Sequence, residues 1–489
     1  MITFGKFENK PFLSLKNIFT NEFLNKHIPI IIVEFLLSLS LIVLPYSLSF
    51  FSIGLLFLFI TLISKFKWGI YILAFTVPYA ADHAGFHIKS KWSIVVADII
   101  PAFPIISLIT LLGFALHRVA GLHKWRVKDP VNTLLFLLVC WASITLFWPY
   151  DFKHNTFQFF ILFNNFLLFY LLLNSVDNKK YYNRLMWCWI SFGAAVAIFT
   201  FISAMLDGKK IYTIGILKWL TFKLYLLAPP IRAESVANTN ETALILNLTI
   251  CIAIGMMLTV NSLTKKIVLS AIVVFMMFAH ILTLSKGGLM GMLAMFYFLL
   301  LFVQRFRKNF FRNFVLIHLI IISLLVLQVV ITRESKSPRI VSASQAASLQ
   351  SRVDVLYKPG MKKLLQGNLL KGMGIGTSKT YLDAPNGGCP HAHSIYFSTL
   401  FDLGLIGIAI VSLAFFVFLR DFLKMVKFQQ TNLQLMFLCC CGGLVATLTH
   451  GTIDFEYNTP EIWFFFGLTV ATLNLAKQEL GHFKLAGVS

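Results

Sequence analysis

SIYFSTLFDLGLIGIAIVSLAFFVF, residues 394–418, holds one charged side chain, Asp402, in twenty-five positions. As a helix rising 1.5 Å per residue it would cover about 37 Å, more than the roughly 30 Å of hydrocarbon in a bilayer. Thirteen further apolar runs of comparable character lie near 28–47, 49–64, 68–82, 94–116, 131–148, 155–174, 185–206, 241–260, 267–284, 287–304, 314–332, 433–450 and 460–476. Of the 489 residues 58% are apolar and only 13% charged, and 50 are Phe. Soluble domains average about 25% charged residues, so this chain cannot clothe several water-facing domains. It reads as all-α, a polytopic transmembrane helical bundle of 12–14 spans.

The net charge of +22 would suggest nucleic acid in a soluble protein. In a membrane protein basic residues gather in cytoplasmic loops, so their location comes first. With the N-terminus inside, the cytoplasmic segments carry 24 Lys and Arg, whereas the short outer connections carry four: Lys89, Lys91, Lys153 and Lys286. The other 14 crowd into two long outer loops, 207–240 and 333–393. Both termini are therefore expected inside. The division is a cytoplasmic N-terminal segment 1–27, a bundle 28–332 with its outer loop 207–240, a large periplasmic loop 333–393, C-terminal transmembrane helices 394–476 and a cytoplasmic tail 477–489. The apolar stretch 211–229 carries Lys218 and Lys223 near its centre. Each would cost about 2.5–3.5 kcal/mol at mid-membrane, so it is read as lying along the outer interface. The start of the chain lacks the pattern of a cleaved signal peptide.

Six of the seven cysteines fall in apolar segments and read as small buried hydrophobes. Cys389, His391 and His393 alternate and could face one side of an extended segment as zinc ligands, but no fourth ligand is adjacent. His280 and Glu34 fall within spans and read as satisfied packing residues. Asp402 lies nine residues beyond His393, about 13 Å along a helix, too far to orient that imidazole. The loop 333–393 looks helical in SASQAASLQSRVDVLYKPGMKKLLQG and is then punctuated by Gly372, Gly374 and Gly376.

On this topology the polar clusters share the outer face: Arg232 to Asn240, Ser285 with Lys286, Arg352, the Gly372 to Gly376 turn, and His391 and His393. An outward site has no access to cytoplasmic activated nucleotides, so group transfer there needs a donor carried in the membrane, such as a polyprenyl-diphosphate-linked sugar. Arg and Lys suit its diphosphate, and fixed cations can stabilise the leaving group without a metal. No Asp-x-Asp motif for Mg²⁺ or Mn²⁺ is present, and no cofactor is expected. A transporter would instead bury ionisable residues at the midplane and show paired broken helices.

His393-Ser394, nine residues, then Gly404-Leu405-Ile406-Gly407 resembles the His-(Asn/Ser/Gln)-nine-Gly-x-x-(Gly/Thr/Tyr) signature of the bacterial O-antigen ligase family. Three further elements are similar to the family's in order: Arg232 with Asn238 and Asn240, Ser285-Lys286-Gly287, and Arg352 leading to Gly374-Ile375-Gly376. Lys286 stands where the family usually has Arg. The resemblance covers roughly residues 230–410. It implies an inverting, metal-independent glycosyltransferase of the lipid-donor, GT-C type, in the inner membrane of a Gram-negative bacterium. Such an enzyme moves a glycan from undecaprenyl diphosphate to a sugar hydroxyl of lipid A-core in lipopolysaccharide biosynthesis. It also implies His393 as the base, since a neutral imidazole can accept a hydroxyl proton near pH 7. Arg232, Arg352 and Lys286 would bind the donor diphosphate, with His391, Ser394, Asn238, Asn240 and Ser285 around them. An O-antigen polymerase or a protein O-oligosaccharyltransferase would use the same donor and differ in acceptor.

Overall fold

The computed structural model describes residues 59–76, 102–121, 129–205, 239–316, 318–319, 322, 352–381, 392–428, 431–455 and 457–485. The described residues are helical, with turns and no strand. They fall into two compact units, one of residues 1–73 and 103–127 and one of 74–102 and 128–489.

In the first unit, helices α1 (Phe66–Thr76) and α2 (Ala102–Val119) meet where Gly69 lies against Thr110, and Gly113 of α2 lies on the backbone of Leu62 and Ile63 just ahead of α1. Phe66 meets Phe114 edge-on at 5.5 Å, and a ring nitrogen of His117 sits 3.2 Å from the Ile63 carbonyl.

The second unit carries α3 (Pro130–Ile144), α4 (Phe152–Ser175), α5 (Lys179–Met205), α6 (Thr239–Thr259), α7 (Leu263–Leu282), α8 (Lys286–Phe302), α9 (Gln304–Arg307), α10 (Lys358–Leu365), α11 (Thr377–Tyr381), α12 (Ile395–Phe428), α13 (Asn432–His450) and α14 (Pro460–Leu485). Local chemistry fixes several starts. Asp129 accepts from Val131 N at 2.9 Å ahead of Pro130, Asp151 from His154 N at 3.1 Å, and Thr431 and Gln434 close a reciprocal capping box. Nine of the fourteen expected runs, from 131–148 to 460–476 but without 314–332, coincide with these helices to within a few residues, α12 and α14 running further. Seven of the described helices are long and apolar enough to cross a membrane, the fold expected of a polytopic all-α protein. The runs 28–47, 49–64 and 314–332 and the stretch 211–229 lie wholly or largely outside the described residues, as do nearly all of the loop 207–240 and about half of the loop 333–393.

The core is built on α6 and α13, which pack along each other, with α8 and α14 against α13, α4 against α14, and α3 against α12. Small residues permit the close approach: a Cβ on Gly291 would lie 2.7 Å from the Ala446 carbonyl, and one on Gly443 2.6 Å from Cys251 Sγ.

The run 394–418 is one helix only in outline. Gly404 breaks α12 with φ +67° and ψ −168°. At the break Met373 N donates to Phe401 O at 2.8 Å, Gly374 N to Asp402 O at 3.0 Å, and Leu405 N to Leu369 O at 3.0 Å. The indole of Trp141 donates to Leu403 O at 2.8 Å. Residues 395–403 are therefore a separate helical arm clasped by the Gly372–Gly376 turn, and the membrane-crossing stretch follows. A Cβ at Gly404 would lie 2.4 Å from both Gly372 N and Leu370 O, in a left-handed conformation. Gly404→Ala should therefore cost about 3 kcal/mol or more, because rigid backbone must move. Thermal unfolding of the purified chain in detergent would register this as a clearly lowered midpoint; an unchanged midpoint would contradict the clasp.

Candidate functional site

Four segments converge at the end of the bundle that carries His393. They are the residues preceding α12, the connection between α13 and α14, the first turn of α6, and the turn between α7 and α8. His393 is buried, at 8% exposure, and adopts φ +50°. Its position is fixed through backbone: Tyr357 OH donates to the His393 carbonyl at 3.4 Å, and the next helix begins with Ile395 N donating to Gly451 O at 2.9 Å. Its Nδ1 lies 3.2 Å from Asp454 Oδ1.

Asp454 continues the chain of contacts. Asn240 Nδ2 donates to Asp454 Oδ2, Ser285 Oγ donates to Asn240 Oδ1 at 2.8 Å, and Gly288 N donates back to Ser285 Oγ at 3.1 Å, which makes Ser285 the cap of α8. Lys286, the first residue of α8, is exposed beside this cap. Asn247 Nδ2 reaches the Gly288 carbonyl at 2.9 Å and clamps α6 to α8. Arg352, in the π-helical turn Arg352–Tyr357, donates from one terminal nitrogen to Ile453 O at 2.6 Å, next to Asp454.

Among the described residues only Leu284, His393 and Phe455 are non-glycine residues with positive φ. Leu284 precedes Ser285, and Phe455 follows Asp454. A left-handed conformation costs such residues roughly 1–3 kcal/mol and persists where the surroundings hold it, chiefly at functional sites. All three adjoin or belong to one hydrogen-bonded set, which marks that set as the place where the fold accepts strain.

Burial raises the affinity of the Asp454 carboxyl for a proton, but the hydrogen bond and charge of His393, the Phe455 N–H and His450 together outweigh it, leaving Asp454 below the ordinary carboxylate value. A carboxylate depressed in the folded state contributes stability above its unfolded value, about 3.9, and loses it as pH falls through the folded value. The stability advantage of the wild type over Asp454→Asn should accordingly hold near neutral pH and shrink only below about pH 4. Thermal midpoints across pH 3–7 check this, and an advantage that disappears above pH 5 would contradict it. Burial likewise pushes the Tyr357 hydroxyl up, against the Arg352 charge that lowers it and with the Asp454 charge that adds to the rise.

Of the residues singled out from sequence, His393, Ser285 and Asn240 enter one network through Asp454. Ser394 caps the arm, accepting from Phe397 N at 3.4 Å, while Lys286 and Arg352 flank it. Arg232, Asn238, His391 and Cys389 lie outside the described residues. Asp402 does not meet His393, as expected. It is buried and accepts from Gly376 N at 2.9 Å, Ser378 N at 2.7 Å and Tyr457 OH at 3.0 Å, so it holds the glycine turn in place. His280 is buried in α7 against Gly288, but among the described residues its Nε2 has no hydrogen-bond partner, so it is packed without being satisfied; Glu34 lies outside the described residues. The sequence reading missed Asp454 as the partner of His393. The available signal was an acidic residue in the short α13–α14 connection, at the same end of the bundle as the histidine. Tyr357 carried no signal.

Residues 271–412 match the family model described as O-antigen ligase. That stretch contains Ser285, Lys286, Arg352, His393 and Gly404, whereas Asn240 and Asp454 lie on either side of it. No curated protein matches the chain.

Proposed function

We propose that this protein, whose residues 271–412 match the O-antigen ligase model, is a membrane glycosyltransferase of ligase or polymerase type that transfers a glycan from undecaprenyl diphosphate to a sugar hydroxyl of lipid A-core. The observation that supports this most is the His393–Asp454 pair, buried and joined to the Ser285 cap of α8. An imidazole that gives its Nδ1 proton to a carboxylate keeps the Nε2 lone pair as its basic site, and the carboxylate steadies the imidazolium once it forms.

In the proposed reaction the acceptor hydroxyl oxygen attacks the anomeric carbon and its proton passes to His393. The bond from that carbon to the diphosphate breaks, its electron pair leaving with the phosphate oxygen. The configuration inverts because attack and departure are on opposite faces. Arg352 and Lys286, with Arg232, meet the charge growing on the diphosphate, so the step is expected to run without a divalent metal. The excess of basic residues in one set of connections supports placing both termini in the cytoplasm and this site on the periplasmic face of the inner membrane.

The purified full chain in lipid vesicles, given undecaprenyl-diphosphate glycan, rough lipopolysaccharide and a chelator, should yield capped lipopolysaccharide. Growth of the lipid-linked chain without transfer to lipid A-core would make it a polymerase, and glycan appearing on an exported protein's Ser or Thr would make it protein-directed. Loss of product on chelation would remove the metal-independent mechanism.

A further inference from the structure

His450, the last residue of α13, has no part in the chemistry above and is fully buried. Among the described residues neither ring nitrogen has a hydrogen-bond partner, so the packing of the ring is what the structure shows it to contribute. Two features link this residue to the site. The first is shape. A Cβ on Gly287 would come 2.3 Å from His450 Cδ2 and 2.7 Å from its Nε2, so the ring occupies the space that a side chain at 287 would need. The ring also meets Phe455 edge-on at 4.5 Å. The second is the backbone of the same residue: the His450 carbonyl receives Ile453 N at 3.1 Å and Asp454 N at 3.2 Å, which ties the ring to the turn that carries Asp454.

The ring thus stands between the first turn of α8, which carries Lys286, and the 451–455 turn. That turn delivers Asp454 to His393 and the Ile453 carbonyl to Arg352. We propose that His450 is a positioning residue, a wedge seated on Gly287 that holds the Asp454 turn against the start of α8 and so sets the orientation of His393. Gly287 is then glycine because the wedge sits where its side chain would be. This assignment rests on His393 being the base of the transfer reaction, and its test includes a readout that needs no substrate.

The test is a double-mutant cycle on the full chain in lipid nanodiscs: wild type, Gly287→Ala, His450→Ala and the pair together. Each is read by transfer kinetics and by the rate at which diethyl pyrocarbonate modifies His393, mapped by peptide mass. Gly287→Ala and His450→Ala should each lower kcat roughly tenfold or more with donor KM nearly constant, and speed His393 modification, because the imidazole is no longer held on Asp454. In the His450→Ala background the methyl at 287 has room, so Gly287→Ala should add almost nothing there. That arm also remains informative if Gly287→Ala alone does not fold. His450→Phe should retain the wedge and recover much of the loss.

An equal penalty for Gly287→Ala in both backgrounds overturns the wedge, as does His393 modification indifferent to His450→Ala. A wild type that transfers no glycan but shows the expected modification pattern overturns the proposed function and leaves the wedge standing.

Discussion

Replacing His393 with Ala is expected to lower the transfer rate by roughly 10²–10⁴-fold, the usual contribution of a positioned general base. The fold should survive. The contacts that fix this segment run through its backbone, with Tyr357 OH on the His393 carbonyl and Ile395 N on Gly451 O, and Ala removes neither. Asp454 loses one partner but keeps Asn240 and the Phe455 N–H. The stability cost should therefore be small, on the order of 1 kcal/mol. Initial rates with purified protein, beside its thermal midpoint and membrane abundance, separate the two effects. His393→Asn is a useful companion, because Asn tolerates positive φ but does not supply a base. If the Ala variant transfers at the wild-type rate, His393 is a structural residue and the mechanism is wrong.

What sequence could supply here depended on the length scale of each feature. The spans were legible because crossing hydrocarbon needs about twenty consecutive apolar residues, a signal carried within each segment. Ser285, Arg352 and His393 were legible because each sits in a short local pattern. The break at Gly404 was not, since a glycine inside an apolar run looks the same whether it continues a helix or turns at positive φ. Its purpose, letting the Gly372–Gly376 turn meet the backbone of 401–405, involves two segments some thirty residues apart. Asp454 was hidden for the same reason. It is 61 residues from His393, and only the packing of α13 and α14 brings the two together. Asn240 was noticed as one of several asparagines leading into a span, but its bridging of Asp454 to Ser285 is a property of the assembled bundle.

Arg352 should prove nearly as sensitive as His393, and to a change that preserves charge. One terminal nitrogen is already committed to the Ile453 carbonyl at 2.6 Å, which anchors the guanidinium beside the Asp454 turn. The remaining donors of the same planar group are the ones available to a phosphate. A guanidinium can hold a carbonyl and a phosphate at once because its five donors lie in a fixed fork, whereas an ammonium concentrates three donors at one point on a flexible stem. Arg352→Lys should therefore lose either the anchor or the phosphate, lowering kcat/KM by roughly 10²-fold, with Arg352→Ala lower still. The two partners separate in the kinetics. Loss of diphosphate binding in the ground state appears as a raised donor KM, while loss of the anchor, which shifts Asp454 and through it His393, appears as a lowered kcat. Because both depend on one side chain, Lys is expected to impair both parameters, and Arg352→Lys at the wild-type kcat/KM would show that the guanidinium serves the fold alone.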